Sequence, residues 1–135
     1  MSEKITAELR FGVRLVEHFA ALSGDANPIH VDRIAARRLM FGGRVAHGTL
    51  SVLWALSCLR AARLEITGLR HIRAKFRAPV RVGAHARLEI TGDGSAWRAV
   101  IRAGGRTCAT LMLETTDGPL RTFDADPVSE DMALV

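Results

Sequence analysis

Residues 48–63 read GTLSVLWALSCLRAAR, and this stretch decides the fold. After Gly48 it contains no glycine or proline, so nothing in it breaks a helix of about four turns. Its apolar side chains fall on almost every side of that helix rather than on one stripe. A helix that is apolar all round has to be buried all round. The rest of the chain must therefore supply something that wraps it.

The wrapper follows in sequence. Residues 70–77, RHIRAKFR, alternate strictly, with Ile72, Ala74 and Phe76 set against Arg73, Lys75 and Arg77. Residues 84–91, AHARLEIT, turn Ala86, Leu88 and Ile90 to one face. Residues 97–103, WRAVIRA, do the same with Trp97, Ala99 and Ile101, and RTCATLMLETT at 106–116 is a fourth strand. The turns between the last three are GDGS and GG, which is hairpin chemistry. Upstream, ITAELRF at 5–11 alternates as a strand. VRLVEHFAAL at 13–22 then switches to helical spacing through Val13, Val16, Phe19 and Ala20, and ends at Ser23-Gly24. Residues 23–47 are mixed, with a turn and a short helix expected around 32–39. One strand and one buried helix thus precede an antiparallel meander. The pattern predicts an α+β chain of hot-dog type, a curved antiparallel sheet around one long central helix.

Length and composition agree with a single domain. The chain has 135 residues, 48% hydrophobic and 24% charged, enough to bury a core. Its boundaries are read as a domain over 1–116 and an acidic, loosely held tail over 117–135. The net charge of +5 is uneven, because that tail holds five acids and one arginine. A basic body suits an anionic partner. Nucleic acid fits poorly, since there is no basic run, no tyrosine and few aromatics for stacking bases. No leader pattern opens the chain, and the longest strongly apolar run, Leu50–Leu59, is short of the roughly 20 residues of a membrane span. Cys58 and Cys108 lack metal-ligand or redox spacing and read as buried free thiols in a reducing compartment. The expected location is the cytoplasm, with no membrane partner.

Chemistry concentrates in GDANPIH at 24–30. Pro28 fixes its own backbone and pushes Asn27 out of helical conformation, so the loop is stiff. Asn27 can bond back to the loop and lock it. Asp25 and His30 then sit on one rigid frame as a carboxylate and an imidazole, the pair used for proton transfer near neutral pH. Taken alone, the same residues read more simply as a capped turn with a packed or surface histidine. A second element is RVAHG at 44–48, just before the central helix. The Gly48 N–H falls at a helix start, which favours negative charge, and glycine allows a ligand close approach. His47 reads as a helix-start or supporting residue. A metal set of Asp25, His30, Asp32 and His47 is conceivable from ligand chemistry but has no diagnostic spacing. His18, His71 and His85 have charged neighbours and read as solvated.

Taken together these elements resemble a family. FAALSGDANPIHVDRIAA at 19–36 resembles the signature of the MaoC-like, (R)-specific enoyl-CoA hydratases, also called hydratase 2. RVAHG resembles the element that opens the central helix in that family, and FRAPVRVG at 76–83 resembles its later Phe-x-x-Pro-Val-x-x-Gly turn. The resemblance covers roughly residues 5–116. It implies a catalytic pair of Asp25 and His30, an oxyanion-binding N–H at Gly48, and loop support from Asn27 and Pro28. The implied reaction is reversible syn addition of water to a trans-2-enoyl thioester, giving the (R)-3-hydroxyacyl product. It implies no metal or redox cofactor, coenzyme A or an acyl-carrier protein as substrate carrier, and a homodimer.

Met40, Leu50, Leu53 and Trp54 are candidate acyl-pocket residues, with Trp54 more simply part of the core. Some relatives carry a hydroxyl further along the central helix. Ser51 and Ser57 are the residues available, and both read more simply as bonding back to the helix. The cationic face of Arg73, Lys75 and Arg77 is either a wet sheet face or a contact for coenzyme A phosphates or an acidic carrier protein. Two other functions fit the fold: a thioesterase, which would cleave the thioester, and a non-catalytic partner subunit. The intact GDANPIH loop argues against both.

Overall fold

The computed structural model describes residues 2–117. The acidic tail expected over 117–135 therefore lies, apart from Asp117, outside the described residues. In chain order the elements are β1 (Glu3–Arg10), α1 (Val13–Ser23), α2 (Pro28–Val31), α3 (Arg33–Arg37) and α4 (Gly48–Ala62). They are followed by β2 (Ile66–Phe76), β3 (His85–Asp93), β4 (Ala96–Ala103) and β5 (Arg106–Asp117). The five strands form one antiparallel sheet in the order β1-β3-β4-β5-β2. β3, β4 and β5 follow the expected meander, but β2, the first strand of that expected run, does not join β3: α4 carries the chain from the β1 side to the far edge, where β2 pairs with β5.

The alternation in the sequence becomes the two faces of this sheet. Ala86, Leu88 and Ile90 of β3 are buried, and so are Trp97, Ala99 and Ile101 of β4 and Leu111 and Leu113 of β5. Register brings them into rows: Leu88 lies opposite Ile101, which lies opposite Ala109, and Ile90 lies opposite Ala99, which lies opposite Leu111. Cross-strand rows of this kind stabilise a sheet as a unit. The Trp97 indole N–H donates to the Thr115 hydroxyl at 3.1 Å, so the largest buried side chain keeps its polar atom paired.

The central helix departs from expectation. Leu50, Ser51, Ala55 and Leu59 face the core, and the Trp54 ring stands edge-on to Phe11 at 5.6 Å. On the other side Leu53 is 48% exposed, and Ser57 is exposed too. The sheet curls over one side of α4 only, so a helix that is apolar all round is half covered within one chain. Val13, expected on the buried stripe of α1, is also exposed, because it sits at the very start of that helix. The short helix expected around 32–39 is α3, and a further turn, α2, precedes it. No helix among the described residues is long and apolar enough to cross a membrane.

Candidate functional site

The loop after α1 is built by side chains that bond to nearby backbone. The Asp25 N–H donates to the Ser23 hydroxyl at 3.2 Å, and the Asn27 N–H donates to the Asp25 carboxylate at 3.3 Å. Asn27 caps α2 by accepting the Ile29 N–H at 3.1 Å, and Pro28 follows at the first helical position. Asp32 caps α3 through the N–H groups of Ile34 and Ala35. The stiff turn is thus a single turn of helix, and it carries His30.

Segment 44–48 lies beside this turn because it pairs with the 80–82 stretch. The Ala46 N–H donates to the Val80 carbonyl at 2.7 Å, the Val82 N–H to the Arg44 carbonyl at 3.1 Å, and Val45 bridges Arg81. The Val45 N–H also donates to the Ile29 carbonyl at 3.0 Å, tying this segment to α2. FRAPVRVG is therefore the strap that holds RVAHG against the catalytic-loop candidate.

His30 Nδ1 is 2.7 Å from the Val45 carbonyl oxygen. A carbonyl only accepts, so Nδ1 carries the hydrogen and donates it. In the neutral ring this leaves the Nε2 lone pair free, and Nε2 lies 3.8 Å from the Asp25 carboxylate. That separation is too long for a hydrogen bond and suits two acceptors converging on one small molecule. Asp25 is half exposed and His30 is mostly buried. One side of the pair is thus open to solvent and the other is held by the fold.

His47 is the residue whose importance the sequence understated. It is 1% exposed, and its Nε2 donates to the Asp25 carbonyl at 2.8 Å. Its ring stacks on His30 with centroids 3.8 Å apart, and Phe19 meets it edge-on at 4.9 Å. It therefore clamps both candidate residues, Asp25 through the backbone and His30 through its ring face. Its Nδ1 is buried with no partner among the described residues. The signal available in the sequence was its position immediately before Gly48, at the N-cap of α4.

A cavity of about 370 Å³ opens beside His30. Its wall includes Ile29, Phe41, Gly48, Ser51, Phe76 and Cys108. Gly48 is the first residue of α4, and the first amides of a helix have no partner within it. A Cβ at this position would come within 3.0 Å of the Phe76 ring, so glycine is what lets the ring cover the helix start. Ser51 reaches the cavity because it lies one helical turn after Gly48. Burial pushes the Cys108 thiol up from its usual range, and a backbone hydrogen bond at Ala103 and the Arg106 charge only partly offset this.

The candidate acyl-pocket residues lie elsewhere. Met40 is 84% exposed and Leu53 points to the uncovered side of α4. Leu50 and Trp54 pack into the core, and none of the four lines this cavity. The helix phase explains it: Gly48 and Ser51 face the cavity, while Leu50 and Trp54 are turned toward Phe11 and the sheet. Asp25, His30 and His47 each offer a ligand atom within 4.8 Å of the others, and Asp32, occupied in capping α3, is not part of that group. His18, His71 and His85 are exposed, as are Arg73, Lys75 and Arg77. Cys58 and Cys108 are free, the first half-buried and the second buried.

Comparison with known proteins places this geometry. A family model described as the MaoC-like domain matches residues 4–108. An (R)-specific enoyl-CoA hydratase from Rhodospirillum rubrum is 38% identical over 78 residues, 56% of this chain and 54% of that protein, so the match spans about half the relative's length. An (R)-specific enoyl-CoA hydratase from Aeromonas caviae is 33% identical over 92 residues, 67% of this chain and 68% of that protein. The solved structure of an (R)-hydratase from A. caviae involved in PHA biosynthesis superposes with a TM-score of 0.77 at 26% identity, covering 87% of this chain and 96% of that one. The five-stranded sheet with its helix is accordingly a hot-dog fold, and the chain belongs to the MaoC-like domain family.

Proposed function

We propose that this chain hydrates trans-2-enoyl thioesters reversibly to (R)-3-hydroxyacyl thioesters, with Asp25 and His30 activating the water. The observation that carries the reading is the fixed tautomer of His30. Nδ1–H is held by the Val45 carbonyl, so Nε2 is an acceptor aimed at the space beside the Asp25 carboxylate. A water there donates one hydrogen to each. As its oxygen attacks C3 of the enoyl group, one of the pair takes the proton and a proton is delivered to C2. Negative charge grows on the thioester oxygen, and the Gly48 N–H at the start of α4, without a partner among the described residues, meets it. The apolar cavity wall strengthens both interactions by keeping bulk water away. Asn27 and Pro28 brace the loop and do not react.

In this reading the chain uses no metal or redox cofactor. His47 already donates Nε2–H to the Asp25 carbonyl and supports the pair rather than completing a ligand set. The substrate carrier is coenzyme A or an acyl-carrier protein, and the location is the cytoplasm. The working unit is a homodimer. β2 is the sheet edge opposite β1, and exposed apolar side chains cluster around it: Leu69, Phe76 and Met112, with Leu53 on the uncovered side of α4. An exposed apolar edge of this kind pairs readily with a second strand. A second copy joined along β2 would cover these residues and sit close to Phe76, at the cavity wall.

Crotonyl-coenzyme A supplies the test. Hydration bleaches the enoyl absorbance, approaches the same end point from 3-hydroxybutyryl thioester, and frees no thiol. Release of thiol at the rate of bleaching would make the chain a thioesterase instead. No change with any chain length would make it a binding subunit. Sedimentation of the purified chain as a monomer at micromolar concentration would remove the dimer.

A further inference from the structure

A second cavity, of about 540 Å³, adjoins the first. The two share Phe41, Arg77, Ala78, Pro79 and Cys108, so the same residues form part of both walls. Their linings differ in kind. The first is apolar apart from His30, Ser51 and Arg77, whereas the second is ringed by Arg77, Arg81 and Arg106. Among the described residues no carboxylate forms an ion pair with any of these three.

The fold fixes where the three arginines start. The Arg77 N–H donates to the Cys108 carbonyl at 2.8 Å, Arg106 pairs with Ala103 across the β4–β5 turn, and Arg81 bridges Val45. The Arg81 guanidinium lies against Gly43, where its Nη1 is 3.5 Å from the position a Cβ would take. Val45 is also the residue whose carbonyl orients His30. Arg81 and the carbonyl that orients the candidate base are thus on opposite sides of one short pairing. Three guanidinium groups around one concavity repel each other, and an anion with several charged oxygens relieves this while satisfying their planar N–H forks.

We propose that Arg77, Arg81 and Arg106 bind the phosphates of coenzyme A, so that this chain takes nucleotide-borne thioesters in preference to thioesters on a carrier protein. The inference rests on the hydratase reading for what occupies the first cavity. Both carriers end in the same pantetheine arm. They differ beyond it. Coenzyme A continues into a diphosphate and a further phosphate on its ribose, whereas the carrier protein offers a single phosphodiester. Three clustered cations match the first better than the second.

The experiment compares the wild-type chain with Arg81→Ala/Arg106→Ala and Arg81→Lys/Arg106→Lys. Arg77 is left in place because it also lines the first cavity. Each is assayed with crotonyl-coenzyme A, crotonyl-pantetheine and crotonyl-carrier protein, and titrated calorimetrically with coenzyme A. The double alanine variant should lose about tenfold or more in kcat/KM on crotonyl-coenzyme A, mainly through KM, and bind coenzyme A correspondingly less tightly. It should keep the wild-type rate on crotonyl-pantetheine, and the lysine variant should recover part of the loss. Salt should narrow the wild-type gap between the two small substrates. An unchanged KM and unchanged coenzyme A binding would overturn the proposal. So would an equal or larger loss on crotonyl-carrier protein, which would make this an interaction surface for a protein. If no thioester is turned over but coenzyme A binding still depends on the arginines, the hydratase reading falls and the phosphate pocket stands.

Discussion

The two sides of this molecule are built to different rules. On one side β3, β4 and β5 close over Ala55 and Leu59 of α4, and their inward side chains from Leu88 to Leu113 form a buried core. On the other side the segment from Ser23 to Gly48, edge strand β2 and the outer face of α4 leave cavities and exposed apolar groups. The closed side is held by side-chain packing. The open side is held by backbone hydrogen bonds between short segments, among them 44–46 with 80–82 and 45 with 29. Packing tolerates no gap, while a backbone-strapped loop can hold polar groups at fixed distances around a gap. That is why proton-transfer chemistry fits the second side and not the first.

This difference can be broken from either direction. The largest effect on folding should come from Leu111→Ala, which removes a fully buried side chain from the middle of the closed side. It should cost about 2–5 kcal/mol of stability in a denaturant titration. Residual folded protein should still turn over substrate, because Leu111 does not line the cavity. A smaller effect, on activity instead, should follow His47→Phe. Phenylalanine keeps the ring against His30 but cannot donate to the Asp25 carbonyl. kcat should fall by about tenfold, roughly 1.4 kcal/mol, with KM nearly unchanged, and His47→Gln should recover part of it by restoring a donor. Equal losses in both variants would make His47 a packing residue only. The smallest effect concerns Cys108. Its folded-state thiol is shifted up by burial, so less thiolate is present at neutral pH than in the unfolded chain. Alkylation should be slow in the native protein, speed up as pH rises through the raised range, and become fast on unfolding.

Much of this was legible in the sequence, and unevenly so. Strand alternation exposed much of the closed side residue by residue, from Ala86 through Ile101, because each pointed inward by period two. GDANPIH and RVAHG were legible as separate short frames, since Asn27, Pro28 and Gly48 act on their immediate neighbours. What joins the frames was hidden. Val45 holds His30, Val80 holds Ala46, and Phe76 covers Gly48 only once β2 has paired with β5, across dozens of residues of chain. The acyl-pocket candidates show the same limit: none of Met40, Leu50, Leu53 and Trp54 lines the first cavity, which takes the Gly48–Ser51 face and the strand ends opposite it, and Met40 lines the adjoining one. The demand that α4 be buried all round was sound physics applied to one chain, where only half of that burial is met.

The central claim is that His30 Nε2, held beside Asp25, is the base that moves the water proton. The most direct measurement is kcat of His30→Ala on crotonyl-coenzyme A, alongside its thermal unfolding. The account predicts a fall of about 10²–10⁴-fold with a folded, cooperatively melting protein. A His30→Ala chain that hydrates crotonyl-coenzyme A at the wild-type rate would contradict it.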